Sequence, residues 1–158
     1  SHELIDGGAD VLAQHVDSPV PVKVAEQRGV YAIGYHTDMS EFGSKSHLAS
    51  VIHDWSNIYE RRVKALVDGN WQAEDLWTGM EQNASKMVAL NHNVPASILK
   101  KIDTVKAQLE AGELTIFAGP IKNYRGRTQI KTGKSLVDDD LQRMNWYVAG
   151  VTGQLKMF

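Results

Sequence analysis

Six side chains in the first third of the chain have the chemistry to hold a small polar molecule, and they fall in three pairs: Asp17 with Ser18, His36 with Asp38, and His53 with Trp55. A carboxylate at Asp17 accepts hydrogen bonds from an amine or ring N–H, and such charge-assisted bonds contribute about 1.5–3 kcal/mol each. Ser18-Pro19 reads as a helix start, where free N–H groups and the helix dipole orient a polar ligand. The plainer role for Ser18 is to cap that helix. Because the next helix position is proline, fewer N–H groups remain for Asp17 to cap, which makes Asp17 the better ligand candidate. The imidazoles of His36 and His53 can donate through one nitrogen and accept through the other, which suits a small molecule with a mixed donor and acceptor edge. Trp55 and Tyr35 offer faces for stacking, worth about 1–3 kcal/mol per base, although core packing is the commoner duty of such rings.

Other constellations carry less. His15, His36 and His53 would suffice for a zinc site, but no His-Glu-x-x-His spacing exists and the three come from separate elements, so no metal is expected. Asp138-Asp139-Asp140 sits where a helix needs a cap and favourable dipole charge. Gly112, Gly119, Gly126 and Gly133 match no phosphate-binding loop, and Gly-x-Ser-x-Gly is missing. No nucleophile is marked with its base, so neither a catalytic residue nor a cofactor is expected. The formal charge of −2 over 158 residues, with basic side chains scattered, argues against nucleic acid as the partner. There is no cysteine and no apolar run near the ~20 residues that span a bilayer.

The elements that must position these residues follow from periodicity and punctuation. Glu3 to Asp6 reads as the last turn of a helix stopped at Gly7-Gly8, and Ala9 to His15 as a short buried strand. A helix from Ser18-Pro19 to Arg28, ended by Gly29, leads into a second strand from Val30 to Tyr35, a compact β–α–β unit with parallel strands. After a polar loop from His36 to Lys45, apolar residues at Leu48, Val51, Ile52, Trp55, Ile58, Tyr59, Val63 and Leu66 have helical spacing, with Gly69 as the stop. Asp75 to Trp77 is expected as a short strand, Pro95 to Gly112 as a helix, and Leu114 to Phe117 as a strand. Gly119 to Gly133 is expected as a hairpin or extended excursion, and a last helix holds Leu141, Met144, Tyr147 and Val148. Trp71, Trp77 and Trp146 are assigned to packing or lobe contacts.

Several segments together resemble the C-terminal half of the basic membrane protein family of periplasmic solute-binding proteins, whose nucleoside-binding members serve ABC transporters. The carrying residues are Gly8-Ala9-Asp10-Val11, Gly29-Val30-Tyr31-Ala32-Ile33-Gly34, Ser50-Val51-Ile52 taken as opening the long helix, and Asp68-Gly69-Asn70-Trp71. Val94-Pro95, Phe117-Ala118-Gly119-Pro120-Ile121 and Met144-Asn145-Trp146-Tyr147 complete the set. The resemblance implies an α/β fold that is part of a two-lobed, type I periplasmic-binding-protein architecture, mainly the second lobe with the returning tail. Residues 1–75 are then expected to be the remainder of that lobe, and residues 76–158 a crossover and tail packing across the lobes. An N-terminal lobe, a signal peptide and a lipidation cysteine are expected to lie outside this chain, making it a fragment or a cleavage product.

In the family's nucleoside binders the loop after the second strand reads approximately Gly-Val-Asp-Ser-Asp-Gln, its first Asp holding the ribose hydroxyls with help from a Lys at the start of the next helix. Here the loop is Gly34-Tyr35-His36-Thr37-Asp38-Met39, with His36 in place of the Asp and His53 in place of the Lys. Loss of both charged partners for a diol favours a bare nucleobase such as adenine over a nucleoside. The resulting reading is a non-enzymatic solute-binding component that delivers a purine-like ligand to an ABC permease at the outer face of the inner membrane. The alternatives are an enzyme acting on nucleosides, with His36, Asp38 and His53 as its acid–base set, or a cytoplasmic effector-sensing domain.

Overall fold

The computed structural model describes residues 1–152 and divides the chain into two compact units, Ser1–Glu110 and a smaller one from Ala111 onward. In the first unit α1 (His2–Asp6) leads to β1 (Val11–Ala13), α2 (Val20–Arg28), β2 (Tyr31–His36), a 3-10 turn (Ser40–Phe42), β3 (His47–His53), α3 (Ser56–Val67), β4 (Ser85–Val88) and α4 (Ala96–Glu110). The strands form one sheet in the order β1-β2-β3-β4. The pairs β1–β2 and β2–β3 are parallel and β3–β4 is antiparallel.

The β–α–β unit forms as its punctuation requires. Gly29 ends α2 in the left-handed conformation at φ 69°, and its neighbour Val30 donates to Ala25 O at 3.1 Å. Val22 and Ala25 of α2 turn inward to meet Leu12 of β1 and Ala32 of β2, with Met39 closing the cluster. The cap, however, sits one residue later than the sequence suggests. Pro19 is the N-cap, and Ser18 Oγ accepts only a 3.3 Å bond from Val20 N–H.

The main correction falls between residues 47 and 53. The run expected to open a long helix is the central strand β3, and the helix starts only at Ser56. Leu48, Val51, Ile52 and Trp55 happen to fall at helical spacing, but a strand with neighbours on both sides and buried faces reads as a continuous apolar run, which periodicity does not separate from a helix. The β-branched Val51 and Ile52 favour the strand. Small residues do the rest: Gly34 of β2 lies opposite Ser50 of β3, and a side chain on Gly34 would collide with Met39 Cβ at 2.9 Å and with Ser50 Oγ.

The expected strand at Asp75–Trp77 is irregular, and the fourth strand is β4, whose Ser85 to Val88 pair with His53 to Ser50. Helix α4 begins after Pro95, as its proline dictates. Neither α3 nor α4 has a fully buried residue, and Tyr59, Val63 and Leu66 of α3 form a stripe more than 60% exposed. No helix among the described residues is long and apolar enough to cross a membrane.

In the second unit, β5 (Ile121–Lys122) and β6 (Thr128–Ile130) form the expected hairpin. Its turn is held by Asn123 Oδ1, which accepts from Arg125 N–H and Arg127 N–H, both at 3.0 Å. Leu114–Phe117 forms no strand. Only the isolated bridge from Ala118 to Ser135 follows it, so no ladder extends back. Helix α5 (Asp138–Gln142) is shorter than expected, and Asp140 reaches back to accept Val137 N–H at 3.4 Å, the capping role assigned to the acidic run. Tyr147 and Val148 lie beyond that helix: Tyr147 O takes Tyr124 N–H at 2.8 Å, and Val148 bridges to Asn123.

Candidate functional site

Parallel strands expose their loops at their carboxyl ends, where open α/β sheets bind ligands. At that end of β1, β2 and β3 a row of rings runs from one strand to the next. His15 lies 4.3 Å from Tyr35, Tyr35 is 5.5 Å from both His36 and His53, and His36 is 5.6 Å from His53. The row continues through Trp55, 6.0 Å from His53, to Tyr59, 6.1 Å from Trp55 and nearly parallel to it. Trp55 is 48% exposed, so its ring is a surface platform and not core packing.

Local structure explains each placement. His36 ends β2 with φ 73°, a left-handed conformation uncommon for a side-chain-bearing residue, and this turns its ring back against Tyr35 and His53. His53 ends β3 and is held at both nitrogens, with the Tyr35 hydroxyl 3.1 Å from Nε2 and the Ser85 hydroxyl 3.4 Å from Nδ1. Ser85 stands opposite His53 in the ladder. Asp54 fixes the step from strand to helix: it accepts Ser56 N–H at 3.0 Å and pairs with Lys86 at 2.6 Å. The Lys86 ammonium, helped by Ser56, holds the Asp54 carboxyl down at about 2. Trp55, between these anchors, is thereby aimed outward.

The remaining candidates separate. Asp17 is exposed in the loop after β1, and Ser18 is partly covered, its carbonyl taking the Gln14 side-chain N–H at 3.1 Å. Asp38 is turned to its own loop. It accepts Ser40 N–H at 2.9 Å, and that bond lowers its pKa below the usual carboxylate range. The histidines form no metal site, because among the described residues no three metal-binding side chains are grouped closely enough.

His53 and Trp55 open, with Ile58, Ala84 and Ser85, onto a cavity of about 260 Å³. Sequence reasoning missed Ser85 along with β4, although the apolar run Met87-Val88-Ala89-Leu90 between the turn at Asn83 and Pro95 has the look of a strand. A larger cavity of about 410 Å³ lies at the other end of β3, beside His47 and Asn91. There His47 Nε2 is engaged at 2.8 Å by Ser50 Oγ, and Asn91 donates to His47 O at 2.7 Å. Those polar groups are occupied in holding the loop, so the candidate site is assigned to the strand carboxyl ends.

A mostly parallel sheet with rings gathered at its carboxyl edge defines the class, an α/β lobe. Residues 1–115 match the family model for ABC transporter substrate-binding proteins of the PnrA-like (Bmp) type, and the chain belongs to that family. It is 38% identical over 152 residues to a purine-binding protein of Brucella abortus, covering 96% of this chain and 43% of that protein. A Haloferax volcanii protein named as an ABC transporter glucose-binding protein is 32% identical over 156 residues, covering 98% of this chain and 37% of its own length. The chain thus spans about two fifths of the curated relatives it matches.

Among solved structures, a transcriptional activator of the comK gene from Bacillus halodurans aligns with a TM-score of 0.61 at 20% identity, over 69% of this chain and 39% of that one. A solute-binding protein of an ABC transporter system from Conexibacter woesei aligns with a TM-score of 0.53 at 17% identity, over 71% and 38%. At these identities the likeness is one of fold.

Proposed function

We propose that the chain forms the ligand-gripping part of a solute-binding protein that captures a purine base outside the cytoplasm and hands it to an ABC permease. The observation that carries this reading is the row from Tyr35 through His36 and His53 to Trp55, which offers ring faces and the imidazole edge of His36 at the carboxyl ends of parallel strands. The family and the relative named for purine binding support it. A base fits this wall better than a nucleoside does, because His36 and His53 stand where the resemblance leads one to expect the Asp and Lys that hold a ribose. Asp38, committed to Ser40, is poorly placed to replace that Asp. The same commitment weakens the acid–base set that an enzyme would need. A lipid anchor and a two-lobed closure around the ligand belong to the same proposal.

Calorimetry of the full-length protein with adenine, adenosine and glucose tests it. Adenine is expected to bind most tightly, with Trp55→Ala weakening it by about tenfold. Adenosine bound more than about tenfold tighter than adenine, a gap of about 1.4 kcal/mol, would overturn the preference for the base. Glucose bound in place of either purine would overturn the purine reading itself.

A further inference from the structure

We propose that Trp77 is a specificity-determining wall of this pocket, and that Arg62 is the positioning residue that holds it there. The proposal deepens the purine-binding reading and rests on it. Sequence patterning assigns Trp77 to packing, yet in the structure its indole is 55% exposed.

What fixes the segment carrying Trp77 is a pair of anchors. Arg62, on α3, donates to Gln72 O at 3.2 Å and to Glu74 O at 3.4 Å, and pairs with the Glu74 carboxylate at 3.0 Å. A planar guanidinium suits this task, because its fork of donors reaches several acceptors at once where a lysine offers a point charge. Such a surface ion pair adds little stability, so its effect is on geometry. The second anchor follows at Gly79, whose N–H donates to Gln82 Oε1 and whose carbonyl accepts Ala84 N–H, both at 2.9 Å. Ala84 O in turn accepts Asp54 N–H at 2.9 Å, so this end is tied to the residue that aims Trp55.

Between the anchors Leu76, Trp77 and Thr78 line the same cavity as His53, Trp55 and Ile58. Its volume of about 260 Å³ lies just below the roughly 300–1,000 Å³ usual for ligand pockets, a space suited to one planar heterocycle and tight for a heterocycle with its sugar. Trp77 has the largest side chain of the three, so truncating it is the change there that enlarges this space most. The ligand class this lining favours is an unsubstituted planar heterocycle, selected by the space and by the ring faces that Trp55 and Trp77 offer.

The test compares adenine and adenosine binding by calorimetry in the full-length protein and in its Trp77→Ala, Trp77→Phe, Arg62→Ala and Arg62→Lys variants. Trp77→Ala is expected to weaken adenine about tenfold and to narrow the preference for adenine over adenosine, while Trp77→Phe keeps most of both. Arg62→Ala is expected to narrow the same preference, with Arg62→Lys recovering only part of it, a change in ratio that a purely structural role would not produce. Indole emission covers the case in which Trp77→Ala fails to fold: adenine should quench the unmodified chain more than Trp77→Phe. Adenine binding with an unchanged affinity ratio in the Trp77 and Arg62 variants, or equal quenching in Trp77→Phe, overturns the inference and leaves the purine reading standing. An unmodified full-length protein that binds no adenine overturns both.

Discussion

At the scale of single residues, the site is built from side chains that one another's hydrogen bonds hold still. His53 touches two hydroxyls, Tyr35 and Ser85, and each hydroxyl can donate or accept, so the imidazole is fixed in orientation while its ring remains part of the wall. Asp17 is the candidate whose carboxylate is exposed at the carboxyl end of β1, while Asp38 is engaged by Ser40. Asp17→Ala is accordingly expected to weaken adenine binding by roughly ten- to a hundredfold while the melting temperature of the unliganded chain barely moves. Calorimetry and a melting curve on the same sample decide it; a clear drop in melting temperature with unchanged affinity would make Asp17 a loop cap instead. His36 was legible because it follows a strand at its carboxyl end, His53 only because the resemblance sets it in place of a Lys, and Trp55 as a possible stacking ring although its helical spacing pointed to core packing. Ser85 and Trp77 were not, since nothing local distinguishes a serine facing a histidine across a ladder, or an indole over a cavity, from ordinary surface.

At the scale of elements, the outcome turned on β3. The β–α–β unit from Val11 to His36 was readable because proline and glycine punctuate it, and the hairpin at Ile121–Ile130 because its turn residues announce it. β3 was not, because the seven residues His47–His53 carry both a helical spacing and the β-branched content of a central strand. The pairing partner decides between them: Gly34 leaves room for Ser50 Oγ to accept Met39 N–H at 3.1 Å, which locks the loop after β2 onto β3. Gly34→Ala should therefore cost about 1–3 kcal/mol, measured by denaturant unfolding, through overpacking against Met39 and Ser50. A loss below about 0.5 kcal/mol would mean that β2 and β3 slide apart freely enough to accept the methyl group.

At the scale of the molecule, stability should carry the signature of buried His47. Burial disfavours its charged form and lowers its pKa below the ordinary 6.5, against a smaller opposing effect of Asp38. The unfolded chain then binds a proton at this residue that the folded chain resists, so the stabilisation is complete above about pH 6.5 and falls away as pH drops through that value. The lowered carboxyls of Asp38 and Asp54 add losses only at more acid pH, below the ordinary carboxylate range. Melting temperatures between pH 7.5 and 5 should decline in the unmodified chain and decline less in His47→Gln; equal slopes would remove His47 from the account. What the sequence by itself determined is the α/β class, the β–α–β unit, the family likeness and the histidines that depart from the nucleoside-binding pattern, because propensity, punctuation and residue identity are local properties. Tertiary structure alone decided that residues 47–53 are in the middle of the sheet, that β4 returns antiparallel to set Ser85 on His53, and that Trp77 lines the same cavity as His53 and Trp55. Those relations depend on pairing and packing between residues far apart in the chain, and no local pattern encodes them.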